Sequence, residues 1–171
     1  MAGMEQEESG PRLDAQVLAG PVRQALREAA ATVVTWDSQS IYHAILASTG
    51  GVYRVAGTAQ VRGATVPWSL VLKVVRRPPS ASPAAQAAPH EWVYWQREAL
   101  AYQSGLLAAL PGGLRAPQCF GTVEQTDGVW LWLKDVADTV GLPWPMAQYG
   151  ALARCLGAFN GAYAAGPWRK S

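Results

Sequence analysis

The sequence predicts an α+β fold: a five-stranded antiparallel sheet with one helix inserted after its third strand, and a further helix at each end. Three observations predict it. Runs rich in β-branched and aromatic residues are separated by short glycine-containing turns, and only antiparallel strands can be joined so briefly. A long stretch with helical spacing interrupts these runs between the third and the fourth. Two more helical stretches flank the set, so strands and helices are segregated rather than alternating.

At 171 residues the chain has room for one ordinary domain with a short appendage. Half of it is hydrophobic and 15% is charged, which is a globular composition. Residues 1–12 begin acidic and read as a disordered N-terminus with no signal-peptide pattern. Residues 13–31 follow as a helix, with Val17, Leu18, Val22, Ala25, Leu26 and Ala29 at helical spacing inside a helical segment extending to 39. Asp14 supports its start, and Gly20-Pro21 is placed to split it.

Strands are expected at 40–46, 52–61 and 68–75. Ser48-Thr49-Gly50-Gly51 separates the first two, and Gly63-Ala64-Thr65 forms the second turn. Residues 76–89 hold four prolines and read as a flexible loop. Helical spacing returns over 90–110, with Trp92, Trp95, Ala99, Tyr102 and Leu106 on one broad face and Pro111-Gly112-Gly113 as the stop. Strands at 118–125 and 129–135 are joined through Thr126-Asp127-Gly128, a hairpin signal. A linker over 137–145 leads to a last helix at 146–164, whose apolar stripe is Tyr149, Leu152, Leu156, Phe159 and Tyr163.

Composition excludes several classes of function. A net charge of +2 with scattered basic residues argues against nucleic acid or a membrane surface as partner. No apolar run approaches the roughly 18–20 residues that span a bilayer. Cys119 and Cys155 match neither a metal spacing nor a disulfide framework and read as small buried groups in a reducing compartment, so a soluble cytoplasmic protein is expected. Eight tryptophans are many for a small domain, and part of that surface is expected to face a partner.

Three strands, a helix, two strands, a linker and a helix is also the order of the N-terminal lobe of kinases. In that solution a glycine-containing turn covers the ATP phosphates, a lysine on the third strand reaches them, and a glutamate on the next helix holds the lysine. Ser48, Thr49, Gly50 and Gly51 supply the turn, Lys73 lies within the apolar run 69–75, and Glu98 lies in the helix. Each has a plainer reading. A two-glycine turn is more often only a hairpin, and Lys73 could escape to solvent if its strand were half-exposed. Glu91 competes with Glu98 because the two share a helix face.

The motifs Pro67-Trp68-Ser69-Leu70-Val71-Leu72-Lys73, Trp95-Gln96-Arg97-Glu98-Ala99-Leu100-Ala101-Tyr102, Ala116-Pro117-Gln118-Cys119-Phe120-Gly121 and Leu131-Trp132-Leu133-Lys134-Asp135-Val136 occur in this order. Together they resemble the aminoglycoside phosphotransferase-like family of small-molecule kinases over residues 41–163. The resemblance implies a protein-kinase-like N-terminal lobe over 40–136, ATP and Mg²⁺ as cofactors, Lys73 on the phosphates with Glu98 paired to it, and an adenine-facing hinge at Leu133, Lys134, Asp135 and Val136. Lys134 stands where similar sequences commonly have glutamate.

The transfer step of that family needs an aspartate two residues after a histidine, and a second aspartate for the metal. Of the five aspartates Asp14, Asp37, Asp127, Asp135 and Asp138, none follows His43 or His90 in that way. Neither a catalytic base nor a metal ligand is therefore expected in this chain, and residues 146–171 read as the start of a C-terminal lobe supplied in cis or by a separate chain. The acceptor, a hydroxyl compound, is expected to bind mostly in that lobe. The apolar final helix is expected to favour oligomerisation. Two other readings stay open: a non-enzymatic nucleotide- or protein-binding module derived from such a lobe, and an unrelated α+β domain.

Overall fold

A computed structural model describes residues 10–42, 49–137, 141 and 143–165. Its core is one five-stranded antiparallel sheet in the spatial order β1-β2-β3-β5-β4. The strands are β1 (Thr32–Tyr42), β2 (Thr49–Val61), β3 (Ala64–Arg76), β4 (Cys119–Gln125) and β5 (Gly128–Lys134). Around it lie α1 (Ala15–Leu26), α2 (Pro83–Gln86), α3 (Arg97–Gln103), a single 3₁₀ turn (Leu106–Ala109) and α4 (Met146–Ala165). The α+β class and the five antiparallel strands agree with the sequence reading. Among the described residues no helix is long and apolar enough to cross a membrane.

The two sheet faces follow from the period-2 pattern of β3. Trp68, Leu70, Leu72 and Val74 point to one side and pack with Trp132, Val55 and Phe120 beneath Leu18 and Val22 of α1. Val75 and half-buried Val71 point to the other side, where Val129, Leu131 and Leu133 of β5 pack against Ala99 of α3. Lys73 falls on this second face by the same alternation. β3 is no edge strand: it pairs with β2 along its whole length and with β5 from Leu70 to Arg76. Pro67 lies before the β5 pairing begins, where its missing N–H interrupts only one ladder.

Several boundaries differ from the sequence reading. The helical segment expected through residue 39 ends at Leu26, and β1 already begins at Thr32. Four β-branched residues in a row (Thr32, Val33, Val34, Thr35) favour the extended chain, and Arg27 closes the helix with a left-handed φ of 55°. Gly20-Pro21 does not split α1: Pro21 sits inside the helix, which Asp14 caps by accepting a 2.8 Å hydrogen bond from the Val17 N–H.

The second turn is Arg62-Gly63 rather than 63–65, with φ of 51° and 85°. Positive φ at both central residues is the two-residue hairpin geometry that matches strand twist. Residues 76–89 are not wholly irregular, because Ser82 caps the short α2. The helix expected at 90–110 shrinks to Arg97–Gln103 and the 3₁₀ turn, divided at Gly105 with φ 76°. Residues 91–95, rich in aromatic and β-branched side chains, form turns instead. The last helix and the fourth and fifth strands fall within a residue or two of expectation.

β1 crosses β2 at unusually close range. A Cβ placed on Gly57 would stand 1.9 Å from the Thr35 carbonyl oxygen. Gly57→Ala is therefore expected to push the edge strand outward and to cost about 1–3 kcal/mol, read as a lower midpoint in urea denaturation. A midpoint equal to that of the parent would mean that β1 shifts freely.

Candidate functional site

Lys73 and Glu98 meet on the α3 face of the sheet. The lysine Nζ stands 2.5 Å from Glu98 Oε2, with the side chains 27% and 37% exposed. Both elements are needed for this contact. The strand period sends Lys73 to the same side as Val71 and Val75, and α3 docks there through Ala99, the residue after the glutamate. A lysine inside an apolar central strand requires an anionic partner or a path to water, and this one has both. Glu91 is excluded as the partner, because its Oε1 accepts a 2.7 Å hydrogen bond from the Ala88 N–H. Half-buried Tyr102 lies on the same helix, and its phenol is pushed up by burial and, secondarily, by the Glu98 carboxylate.

The pair opens onto a cavity of about 570 Å³. Thr49 and Val75 of the sheet, prolines 78, 79 and 83 of the loop after β3, and Trp92 and Trp95 wall it together with Lys73 and Glu98. The Arg77 guanidinium lies over the Trp95 ring, 5.7 Å from its centroid, and fixes that wall by a cation–π contact. Sequence reading missed this arrangement because it treated the proline-rich loop as featureless. The prolines at 78, 79, 83 and 89, just ahead of Trp92 and Trp95, were the available signal.

The glycine turn is placed differently from expectation. Thr49, Gly50 and Gly51 belong to β2, with a bulge at Thr49/Gly51, and Ser48 lies outside the described residues. Gly50 is small for a packing reason: a Cβ there would meet the Val74 side chain at 2.6 Å and that of Arg76 at 2.8 Å. Gly51 has a φ of 121° and lies against the Tyr53 ring. Among the described residues of this group only Thr49 lines the cavity.

At the far end of β5, Leu133 is buried and Lys134 is exposed, and beyond the strand Val136 is 60% exposed. The Lys134 N–H donates to the Gln118 carbonyl at 2.8 Å. Asp135 is tied down. Arg54 Nε donates to Asp135 Oδ2 at 2.9 Å and Arg54 Nη2 to Oδ1 at 3.3 Å, while the Ser69 hydroxyl donates to Oδ2 at 2.6 Å. This cluster joins β2, β3 and the end of β5. It too escaped the sequence reading, although Arg54 between Tyr53 and Val55 carries the signal that singled out Lys73: one charge in an apolar strand.

Burial pushes the Asp135 carboxyl up, but the Ser69 hydrogen bond, the Arg54 hydrogen bonds and the Arg54 charge together hold it below the usual carboxylate range. The sign follows from linkage. A depressed carboxylate contributes stability above its unfolded pKa of about 3.9, and the contribution disappears as pH falls through the lower folded value. Arg54 is 42% exposed, so solvent weakens the pair to about 1 kcal/mol. Asp135→Asn is expected to lose that much at pH 7 and to converge on the parent in acid. Parallel stability–pH curves below pH ~4 would remove Asp135 as the cause.

Cys119 is half-buried, and burial raises its thiol pKa, only partly offset by hydrogen bonding from the Gly121 backbone; it is placed as an inert core group. Among the described residues no group of three or more His, Cys, Asp or Glu side chains converges to hold a metal. Comparison with known proteins found no matching protein family, no matching curated protein and no matching solved structure.

Proposed function

We propose that this chain is the nucleotide-binding lobe of a small-molecule phosphotransferase, in which Lys73 meets the ATP phosphates and Glu98 holds it in position. One observation carries the reading: a lysine on the central strand β3 paired at 2.5 Å with a glutamate on α3, the short helix that packs on that face. An antiparallel sheet with its helix inserted after the third strand is the arrangement that the family resemblance implies, and it supports the same reading. In such a site the ammonium neutralises phosphate charge while the carboxylate fixes where the ammonium stands, so positioning rather than covalent chemistry is the lobe's contribution.

On this reading the base lies toward Leu133, Lys134, Asp135 and Val136, where the Arg54–Asp135–Ser69 cluster braces the backbone. Mg²⁺ does not fit the described residues of this lobe, because no three suitable ligands converge there. On this reading the metal arrives with the nucleotide. No residue of the chain stands as the catalytic base, since no aspartate follows a histidine by two positions.

The test is a thermal-shift titration of the chain with Mg-ATP. At a hundredfold excess over Kd, binding stabilises the folded state by about 2.7 kcal/mol, which at this size is a rise of about 5–10 °C. An unchanged melting temperature at millimolar Mg-ATP would sink the nucleotide reading and leave the fold alone standing.

A further inference from the structure

We infer that Tyr53 is a positioning residue: it pins the glycine bulge at the head of β2 and so keeps the Thr49 hydroxyl turned toward the outer phosphates of the nucleotide. The inference rests on the nucleotide reading above and deepens it by naming what sets the geometry at the phosphate end of that site.

Strand register carries the first part. Val52 pairs with Lys73 and Gly51 with Val74, so a regular ladder would go on to pair Gly50 with Val75 and Thr49 with Arg76. Thr49 would then share the side of Leu72 and Val74, beneath α1. The bulge inserts one extra residue, and Thr49 pairs with Val75 instead. Val75 lies on the α3 side of the sheet, and Thr49 lines the cavity there together with Lys73. One inserted residue therefore decides which face receives the hydroxyl. The same pairing sets its distance from the base. Val75 is two residues, or about 7 Å, past Lys73 along β3. It lies on the side away from Lys134, which pairs with Leu70. A nucleotide with its base near residues 133–136 and its phosphates at Lys73 thus meets Thr49 with the phosphates farthest from the base.

The clamp on the bulge carries the second part. Half-buried Tyr53 pairs with Leu72 and reaches back along the side of the sheet that faces α1. Its hydroxyl donates to the Gly50 carbonyl at 3.3 Å. Gly50 is the residue that the bulge takes out of the ladder, so this bond replaces one that the sheet no longer supplies. The ring also lies against Gly51, where a Cβ would stand 2.7 Å from the hydroxyl oxygen. Gly51 holds a φ of 121°, a setting that glycine adopts at low cost and other residues rarely reach. On its outer side the ring is met by the segment in front of α1: a Cβ on Gly10 would stand 3.6 Å from it. Gly10 and Pro11 share a small cavity with Gly50 and Tyr53. The side chain is therefore seated from several directions, and its hydroxyl is aimed at the inserted residue.

The experiment measures by isothermal titration calorimetry the affinity of the chain for Mg-ATP and for AMP, which lacks the outer phosphates. The variants are Tyr53→Phe, Thr49→Val and the two combined. Tyr53→Phe keeps the ring and removes only the bond to Gly50. Each single variant is expected to weaken Mg-ATP about three- to tenfold and to leave AMP as in the parent. The double variant is expected to bind Mg-ATP no more weakly than the weaker of the two singles, because Tyr53 acts through Thr49. Thr49→Ser, which keeps the hydroxyl, is expected to bind as the parent does.

A Tyr53→Phe variant that binds Mg-ATP like the parent, or that loses AMP in the same proportion, would overturn the positioning role and leave the nucleotide reading intact. Losses that add in the double variant, or full Mg-ATP affinity in Thr49→Val, would do the same. A parent chain that binds neither Mg-ATP nor AMP would defeat the nucleotide reading itself, and the role of Tyr53 with it.

Discussion

Lys73→Ala is expected to cut the rise in melting temperature with Mg-ATP by about half or more while moving the unliganded melting temperature by only a few degrees. The asymmetry follows from exposure. The ion pair it removes is partly solvated, with the lysine 27% and the glutamate 37% exposed, so its net worth to folding is about 1 kcal/mol. Glu98, left behind, can hydrate. β3 offers phosphate no second cation on that face, since Arg76 falls on the other side by alternation. Removing a charge-assisted hydrogen bond from a binding site costs about 1.5–3 kcal/mol, or ten- to a hundredfold in affinity.

Glu98→Gln separates charge from position. It keeps Lys73 but replaces its ionic anchor, and an affinity between those of the parent and Lys73→Ala is expected from the same titration. A Lys73→Ala variant that binds Mg-ATP as the parent does would show that the pair is only a structural link between β3 and α3.

Trp132→Ala should produce the largest loss of stability, about 3–5 kcal/mol. Its indole is fully buried on β5, beneath α1, and stacks edge-on to Trp130 with ring centroids 6.3 Å apart. Removing it opens a cavity between the sheet and the helix that Leu18 and Val22 cannot collapse to fill, because both are already packed against β3. Trp132→Phe is the informative companion. The Trp132 Nε1–H is buried with no hydrogen-bond partner among the described residues. Phenylalanine therefore removes an unsatisfied donor along with part of the ring, and its cost should fall to about half that of alanine or less. Chemical denaturation of the two variants measures both. Equal losses would mean that the indole N–H is satisfied in solution.

Trp68 shows the same combination on the same face, buried with no partner for its Nε1 among the described residues. The two residues account for part of the tryptophan excess in the composition: the ring area is used inside the sheet–α1 layer. Trp92 shows the opposite, lying 82% exposed at the rim of the cavity. The final helix also exposes its stripe, with Met146 at 83%, Tyr149 at 46% and Leu156 at 45%. Composition could count these aromatic and apolar groups but not sort them, because the same side chain serves a core, a cavity wall or an uncovered surface.

The α+β class, the five strands with their antiparallel sense, and the last helix almost to the residue are legible in the chain alone. These are local properties: period, β-branching and turn chemistry act between near neighbours along the chain. The placement of Lys73 on the third strand and Glu98 on the following helix is legible too, since a single charge in an apolar strand is visible as a pattern. The start of β1 and the length of α3 are not. There, helical spacing of apolar residues outweighed the β-branched and aromatic side chains that oppose a helix. Three features arise from tertiary packing: Glu98 rather than Glu91 reaches Lys73, Arg54 and Ser69 hold Asp135, and the proline-rich loop closes a cavity against Trp92 and Trp95. Those contacts join residues up to 81 positions apart. They depend on strand register and on the angle at which a short helix docks, which are set by packing across the sheet and leave no local mark in the chain.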